Sequence, residues 1–170
     1  ISFSVEVEHL QNYLNGGGVI FFVVYFDEKG ENRKIYYSKL LPFNLKCYLK
    51  EAGKNKKKAI ILKQFPMEKK AITEIFINFL SDMKKQRASI DAEEMTLKTI
   101  VESGSLQSLS FGYTSLDKKS NDVLDLLLSK EVYLYADLNC GIKYPVEHIT
   151  DVEMACATVN RSVLIRDKEY

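Results

Sequence analysis

The sequence predicts an α+β fold: a mixed α/β N-terminal part, with a central sheet flanked by helices, followed by an antiparallel β module. The first observation behind this prediction is Val19–Phe26, an unbroken apolar run that directly follows three glycines. The second is residues 68–86, in which apolar side chains recur at helical spacing. The third is a series of short strand-like segments that starts near residue 131.

The N-terminal elements are predicted to be a helix and two strands. Apolar positions at helical spacing predict a helix over residues 5–14, and the glycines at 16–18 supply its C-cap. Because Val19–Phe26 lacks polar alternation, we expect this strand to be buried on both faces. A polar loop separates it from a second, amphipathic strand at residues 33–39, which we expect to pair with it antiparallel.

Proline and glycine mark the next elements. Pro42 suits the first position of a short helix, where no N–H donor is needed, and Gly53 is expected to end that helix. After a lysine-rich loop, residues 59–64 are predicted to form a third strand, which Pro66 closes.

The helix predicted over residues 68–86 has one apolar stripe, which we expect to face the core. Its members are Ile72, Ile75, Phe76, Phe79, Leu80 and Met83. A shorter helix should follow, with a capping box formed by Asp91 and Glu94 and with its end at Gly104.

The remainder predicts the antiparallel β module and the division of the chain. Alternation predicts a strand over residues 106–113, and a brief apolar helix is expected at residues 123–128. Four further strands are predicted at residues 131–138, 142–149, 154–159 and 162–170. We therefore expect an α/β segment over residues 1–88, a connecting helix over 89–104 and the β module over 105–170.

Composition excludes several classes of protein. A net charge of +1 gives no overall field that would attract nucleic acid or an anionic membrane. The longest apolar run is too short to span a bilayer, and three scattered cysteines predict a reducing, cytoplasmic location. Because the chain starts and stops within strand-like patterns, we expect it to be a segment of a longer protein.

No catalytic or metal site is predicted from the motifs. A phosphate-binding loop would follow a strand and open a helix, whereas these glycines close a helix and precede a strand. The two histidines, His9 and His148, have no Cys, His or acidic partner at metal-ligand spacing. We interpret Cys47 as a packing residue near the apolar side of its helix.

Two basic clusters are the candidate nucleic-acid contacts. They consist of Lys54, Lys56, Lys57 and Lys58 in one loop, and of Lys84, Lys85 and Arg87 after the long helix. If both clusters share a face, they would neutralise several phosphates, and DNA binding would be weak and non-specific. The alternative is a solvated loop and a helix C-terminus favoured by the helix dipole.

Several apolar segments are similar, in their order, to a known family. They are residues 13–15, 19–25, 34–37 and 40–43, with residues 132–136 and 144–147 further along. They resemble the second half of the restriction-endonuclease-like (PD-(D/E)xK) domain, with its downstream β region, of bacterial proteins of unknown function. The resemblance implies that the family's metal-binding acids and lysine would precede Ile1. It therefore implies no catalytic residue here, and a divalent metal only at an upstream site.

The expected function is that of a non-catalytic segment of a larger bacterial protein, associated with DNA or with defence. The alternative is a protein-interaction or structural module without a nucleic-acid role, which would bind a protein partner or a second copy through an exposed strand edge.

Overall fold

The computed structural model describes residues 1–28, 30, 32–116 and 130–149. It confirms the α+β class, because helices alternate with antiparallel sheets. The helices are α1 (Val7–Asn15), α2 (Pro42–Ala52), α3 (Lys69–Gln86) and α4 (Leu97–Glu102), with a 3-10 helix at Arg87–Ser89. The strands are β1 (Ser2–Glu6), β2 (Val19–Phe26), β3 (Arg33–Leu40), β4 (Lys57–Ile61), β5 (Lys63–Gln64), β6 (Leu106–Ser110), β7 (Val132–Leu138) and β8 (Lys143–Ile149).

The described strands form three antiparallel sheets. β1 pairs with β4, while β2, β3 and β5 form the second sheet and β6, β7 and β8 the third. In the second sheet, β2 and β3 pair along their whole length, from Val19 opposite Leu40 to Phe26 opposite Arg33. The predicted antiparallel pairing of these two strands is therefore confirmed.

The strand predicted over residues 59–64 is divided into two. β4 pairs with β1, and β5 pairs with β3, so the chain passes from the first sheet to the second at Leu62. The side chain of Leu62 is buried in the core between these sheets. The single predicted strand is thus shared between two sheets.

The glycines after α1 have the structural role that the sequence predicts. The N–H of Gly16 donates to the carbonyl of Asn12 at 3.0 Å and caps the helix. Gly18 has a φ of +113°, and a Cβ at this position would lie 2.8 Å from the carbonyl oxygen of Leu40. Only glycine fits this close approach of β2 to the end of β3.

The expectation that β2 is buried on both faces is wrong. β2 lies at the edge of its sheet, next to β3 alone among the described strands. Phe22, Val24, Tyr25 and Phe26 are exposed, and 63% of the Phe26 surface is accessible to solvent. An apolar run that is typical of an internal strand therefore lies largely at the surface from Phe22 onward.

The expectation that the apolar stripe of α3 faces the core holds only in part, since Phe79 and Met83 pack in the interior. Of the predicted stripe, Phe79 is buried, whereas Phe76 and Leu80 are exposed. The side that faces the interior carries Glu74, Asn78, Asp82 and Gln86. Polar partners in the interior stabilise this orientation, as described below.

The predicted capping box of α4 is at the wrong position. The helix begins at Leu97, so its N-cap is Thr96, whose side chain accepts a hydrogen bond from the Thr99 N–H at 3.2 Å. The Thr99 hydroxyl oxygen in turn accepts from the Thr96 N–H at 3.0 Å. Glu94 instead forms an exposed ion pair with Lys50 at 2.9 Å.

Three clusters of apolar side chains form the core. The first packs α1 and α2 against the first two sheets, with Val5, Leu10, Leu14, Leu40, Leu45, Ile60 and Leu62 buried. The second joins Leu41 and Phe79 to Tyr133 and Tyr135 of β7. The third lies between α4 and the third sheet, around Ile100, Ala136, Leu138 and Tyr144.

The second cluster combines residues of both predicted parts of the chain, and the division into 1–88, 89–104 and 105–170 stays a prediction. The helix predicted at residues 123–128 and the strands predicted at 154–159 and 162–170 lie outside the described residues. No helix in the part of the chain that the structure describes is both long enough and apolar enough to cross a membrane.

Candidate functional site

The interior side of α3 is a stripe of polar side chains spaced four residues apart. Glu74, Asn78, Asp82 and Gln86 are all buried. Asn78 makes two hydrogen bonds to the backbone of Thr114, accepting from its N–H at 2.7 Å and donating to its carbonyl at 2.9 Å. These two hydrogen bonds hold the segment around Thr114, which has no regular secondary structure, against α3.

Glu74 holds the same segment further along. Its carboxylate accepts from the Leu116 N–H at 2.7 Å and from the Tyr113 hydroxyl at 3.1 Å, and it forms an ion pair with Lys130 at 3.3 Å. Burial by itself would raise the pKa of Glu74, but these hydrogen bonds and the Lys130 charge lower it below its usual value. Glu74 is therefore a buried carboxylate whose charged form the fold stabilises.

Asp82 and Gln86 connect α3 to β7. The Tyr135 hydroxyl donates to Asp82 at 2.9 Å and accepts from the Gln86 amide at 3.2 Å, while the Gln86 carbonyl oxygen accepts from the Phe43 N–H at 3.0 Å. Burial raises the pKa of Asp82, against the opposing effects of the Tyr135 hydrogen bond and of Lys85. Because these polar groups would be costly to bury without partners, they fix which side of α3 faces inward.

The orientation of α3 leaves an apolar helix surface exposed. Phe76, Ile77 and Leu80 lie on the side away from the polar stripe, and each is exposed. A helix that buries four polar side chains and leaves three large apolar ones exposed is unusual, because amphipathic helices generally bury the apolar face. Exposed apolar surfaces of this kind mark sites of interaction with other molecules.

The outer edge of β2 is the second exposed apolar surface. The strand has eight residues, none of them charged and none proline. Its neighbour β3 is paired on both sides, by β2 and by β5, whereas no described strand lies beyond β2. An open edge presents unpaired N–H and C=O groups, and natural proteins usually protect such edges with charges, proline or bulges.

A cavity of about 310 Å³ lies where the second and third sheets approach each other. Its lining includes Tyr37 and Lys39 of β3, Lys63 of β5, Glu131, Tyr133 of β7 and His148 of β8. Lys63 forms an ion pair with Glu131 at 2.5 Å, which ties the second sheet to the start of β7. Burial lowers the pKa of Lys39, partly offset by the negative charges of Glu131 and Asp82.

The two predicted basic clusters lie on different elements. Lys54 and Lys56 lie in the loop before β4, and Lys57 and Lys58 begin that strand. The other cluster ends α3 with Lys84 and Lys85 and continues in the 3-10 helix with Arg87.

Two members of these clusters have structural contacts. Lys58 forms an ion pair with Glu51 at 2.6 Å and lies 5.8 Å from the centre of the Tyr48 ring. Lys85 lies 3.4 Å from Asp82 and 5.3 Å from the centre of the Tyr135 ring. The assignment of the seven basic residues to nucleic-acid contact stays a prediction.

Neither the buried polar side of α3 nor the cavity is predicted from the sequence. His9 is an exposed polar residue on α1, whereas His148 lines the cavity. Glu74, Asn78, Asp82 and Gln86 recur at four-residue spacing, but polar residues at this spacing are also typical of a solvent-facing side, so the sequence alone does not predict their burial. Within the described residues, no three His, Cys, Asp or Glu side chains are placed to hold a metal ion.

Comparison with protein-family models, curated proteins and solved structures found no match. The resemblance to restriction-endonuclease-like domains stays a prediction, and the surfaces and the cavity are the basis for inferring function.

Proposed function

We propose that this chain is a protein-interaction module that pairs, through the open edge of β2, with a strand of another chain. The observation that carries the proposal is the eight-residue uncharged strand at the edge of its sheet, with four exposed large apolar side chains. Strand addition satisfies the backbone groups of such an edge and buries alternate side chains against the partner. The exposed side of α3 offers additional apolar area for the same kind of association.

The partner proposed for this edge is a second copy of the chain. Two antiparallel β2 strands related by a two-fold axis would place apolar side chains against apolar side chains. Val19–Phe26 carries no charge, so this self-pairing brings no like charges together along the strand. Recognition of a different partner through complementary charges would require charged residues on β2, and the strand has none.

Self-pairing is tested by light scattering coupled to size-exclusion chromatography, with two variants of Val24. Val24 is exposed, so Val24→Lys should leave the monomer folded while it places a charge on the edge of each copy. We expect the wild type to have twice the 19.5 kDa mass of one chain, and Val24→Lys to have the monomer mass. Val24→Thr is the matched control, because it keeps a β-branched side chain without charge.

Hydrogen exchange gives the second measurement. In the dimer, the backbone amides of both edges of β2 should be protected, whereas Val24→Lys should lose protection in β2 and keep it in β3. A wild-type chain that stays at 19.5 kDa over the accessible concentrations would contradict self-pairing, and so would a Val24→Lys variant that remains dimeric.

DNA association, as the segment of a larger bacterial protein, is the second proposal. It is supported by Lys54, Lys56 and Lys57, which are exposed and form no ion pair with any described residue. Replacing Lys56, Lys57 and Lys58 with Glu should weaken duplex binding in fluorescence anisotropy and reduce its salt dependence, because fewer counterions are released. Lys98→Glu on α4 is the control, and equal binding by the triple variant would contradict the proposal.

A further inference from the structure

The orientation of the His148 ring in the cavity is fixed by two neighbours. The Asn44 side-chain amide lies 3.0 Å from Nδ1 of His148 and donates to it. The other end of the same amide accepts a hydrogen bond from the Tyr133 hydroxyl. The rings of Tyr133 and His148 are stacked, with their centres 4.4 Å apart and an angle of 9° between them.

This arrangement determines which ring nitrogen of neutral His148 carries the proton. Because Nδ1 accepts a hydrogen bond, the proton resides on Nε2. Nε2 is buried and has no hydrogen-bond partner among the described residues. A buried N–H without an acceptor is destabilising, so the fold holds a donor in place for an acceptor from outside. Burial also lowers the pKa of His148, which favours the neutral ring.

Lys39 is the second group without a partner at this cavity. Lys63 is neutralised by its ion pair with Glu131, whereas Lys39 forms no hydrogen bond or ion pair with a described residue. The charges of the lining thus leave one positive charge, on Lys39, beside one neutral donor, on His148. A ligand group with one negative charge is neutralised by Lys39, whereas a group with two would leave one charge removed from water without a partner, which is costly.

The rest of the lining suits an aromatic body. Tyr37, Tyr48 and Ile61 supply ring and aliphatic surface next to Lys39. The volume of about 310 Å³ is at the small end of the range for ligand sites.

We propose that this cavity binds a small aromatic carboxylate, with the carboxylate between the Lys39 ammonium and the His148 Nε2–H and the ring against Tyr37 and Tyr48. This site is separate from the β2 edge, so it does not depend on the proposed self-pairing. Asn44 and Tyr133, which also line the cavity, are positioning residues because they hold the His148 ring in place.

The experiment titrates the intact chain with benzoate and follows the imidazole signals of His148 by ¹H–¹⁵N NMR. The chain has two histidines, so a His9→Gln variant assigns the signals. We expect the Nε2–H form in the free protein and a saturable shift of this signal with benzoate. Benzamide has the same shape without the charge, and its affinity should be lower than that of benzoate by a factor of about ten or more. This comparison uses the wild-type chain and does not depend on any variant folding correctly.

Variants then test the role of Lys39. Lys39→Met and Lys39→Gln should each lose about tenfold or more in benzoate affinity, with circular dichroism confirming that they are folded. Lys34→Met, on an exposed position of the same strand, should bind like the wild type.

Four results would overturn the proposal: a free His148 protonated on Nδ1, no saturable shift with benzoate, equal binding of benzamide, or unchanged affinity of both folded Lys39 variants. Tighter binding of phenyl phosphate than of benzoate would overturn the choice of a singly charged ligand group.

Discussion

At the scale of residues, two carboxylates on one side of α3 have opposite electrostatic environments. Glu74 accepts hydrogen bonds from the Leu116 N–H and the Tyr113 hydroxyl and pairs with Lys130, and its pKa is lowered despite its burial. Asp82 lies two turns along, and burial raises its pKa more than the Tyr135 hydroxyl and Lys85 lower it. The two groups should therefore affect the free energy of unfolding in opposite directions as the pH changes.

The Glu74→Gln variant tests the first of these effects. Since the folded-state pKa of Glu74 lies below its usual 4.5, its stabilising contribution is present above that value and is lost as the pH falls through the folded-state pKa. We expect the variant to be less stable than the wild type by about 1–3 kcal/mol near neutral pH, with the difference shrinking in acid. Urea denaturation near neutral pH and near pH 3.5 measures it.

Asp82→Asn is the matched comparison. The raised folded-state pKa of Asp82 means that its contribution is fully present below the unfolded-state pKa and is lost as the pH rises through the folded-state pKa. Asparagine keeps an acceptor for the Tyr135 hydroxyl and removes the buried charge, so its cost near neutral pH should be smaller than that of Glu74→Gln. A constant difference between Glu74→Gln and wild type at both pH values would contradict this account of α3.

At the scale of elements, the sequence predicts position well and orientation poorly. β2, α2 and α3 lie within a residue or two of the predicted ranges, because apolar runs, helical periodicity, Pro42 and Gly53 act locally. Which side of α3 faces inward depends on partners such as Thr114 and Tyr135, which are distant in sequence. For the same reason the cavity could not be predicted, since Asn44 and His148 are 104 residues apart.

The exposed position of β2 leads to a prediction for two of its residues. Val23 packs against the first core cluster, whereas Phe26 is exposed. In the Val24→Lys background, which removes the proposed self-pairing, Val23→Asp should bury an unpaired charge and destabilise the chain by about 3 kcal/mol or more, while Phe26→Asp should change stability by about 0.5 kcal/mol or less. Thermal unfolding of both variants, followed by circular dichroism, compares them.

The two variants show whether β2 is an edge strand or an internal strand of its sheet. If Phe26→Asp destabilised the chain as strongly as Val23→Asp, β2 would be an internal strand, as its composition alone predicts. A soluble, cooperatively unfolding Phe26→Asp variant is the outcome that an edge strand requires.

At the scale of the whole molecule, the second core cluster decides whether the chain unfolds as one unit. Leu41, next to the start of α2, and Phe79 of α3 pack with Tyr133 and Tyr135 of β7. Several polar connections cross the same boundary, among them Lys63–Glu131, Gln86–Tyr135 and Asp82–Tyr135. The buried members of these contacts join the predicted α/β segment to the predicted β module, which favours cooperative unfolding.

Leu41→Ala tests this coupling. Leu41 is fully buried, so its truncation should cost about 2–5 kcal/mol. We expect the amides of β3 and of β7 to lose protection together in hydrogen-exchange mass spectrometry. Val101→Ala, at an exposed position of α4, should leave both strands unchanged. Loss of protection in β3 with β7 unaffected would indicate two independent units.

The inward polar side of α3 also has a consequence for the order of events during synthesis. The backbone partner of Asn78 is 36 residues further along the chain, and the hydroxyl that binds Asp82 is 53 residues further along. Until the ribosome has made those residues, the polar side of α3 lacks these two partners, and Phe76, Ile77 and Leu80 are exposed even in the finished fold. A nascent helix in this state is a substrate for chaperones that bind apolar segments. The interactions that decide which side of α3 faces the interior can therefore form only after β7 has been translated.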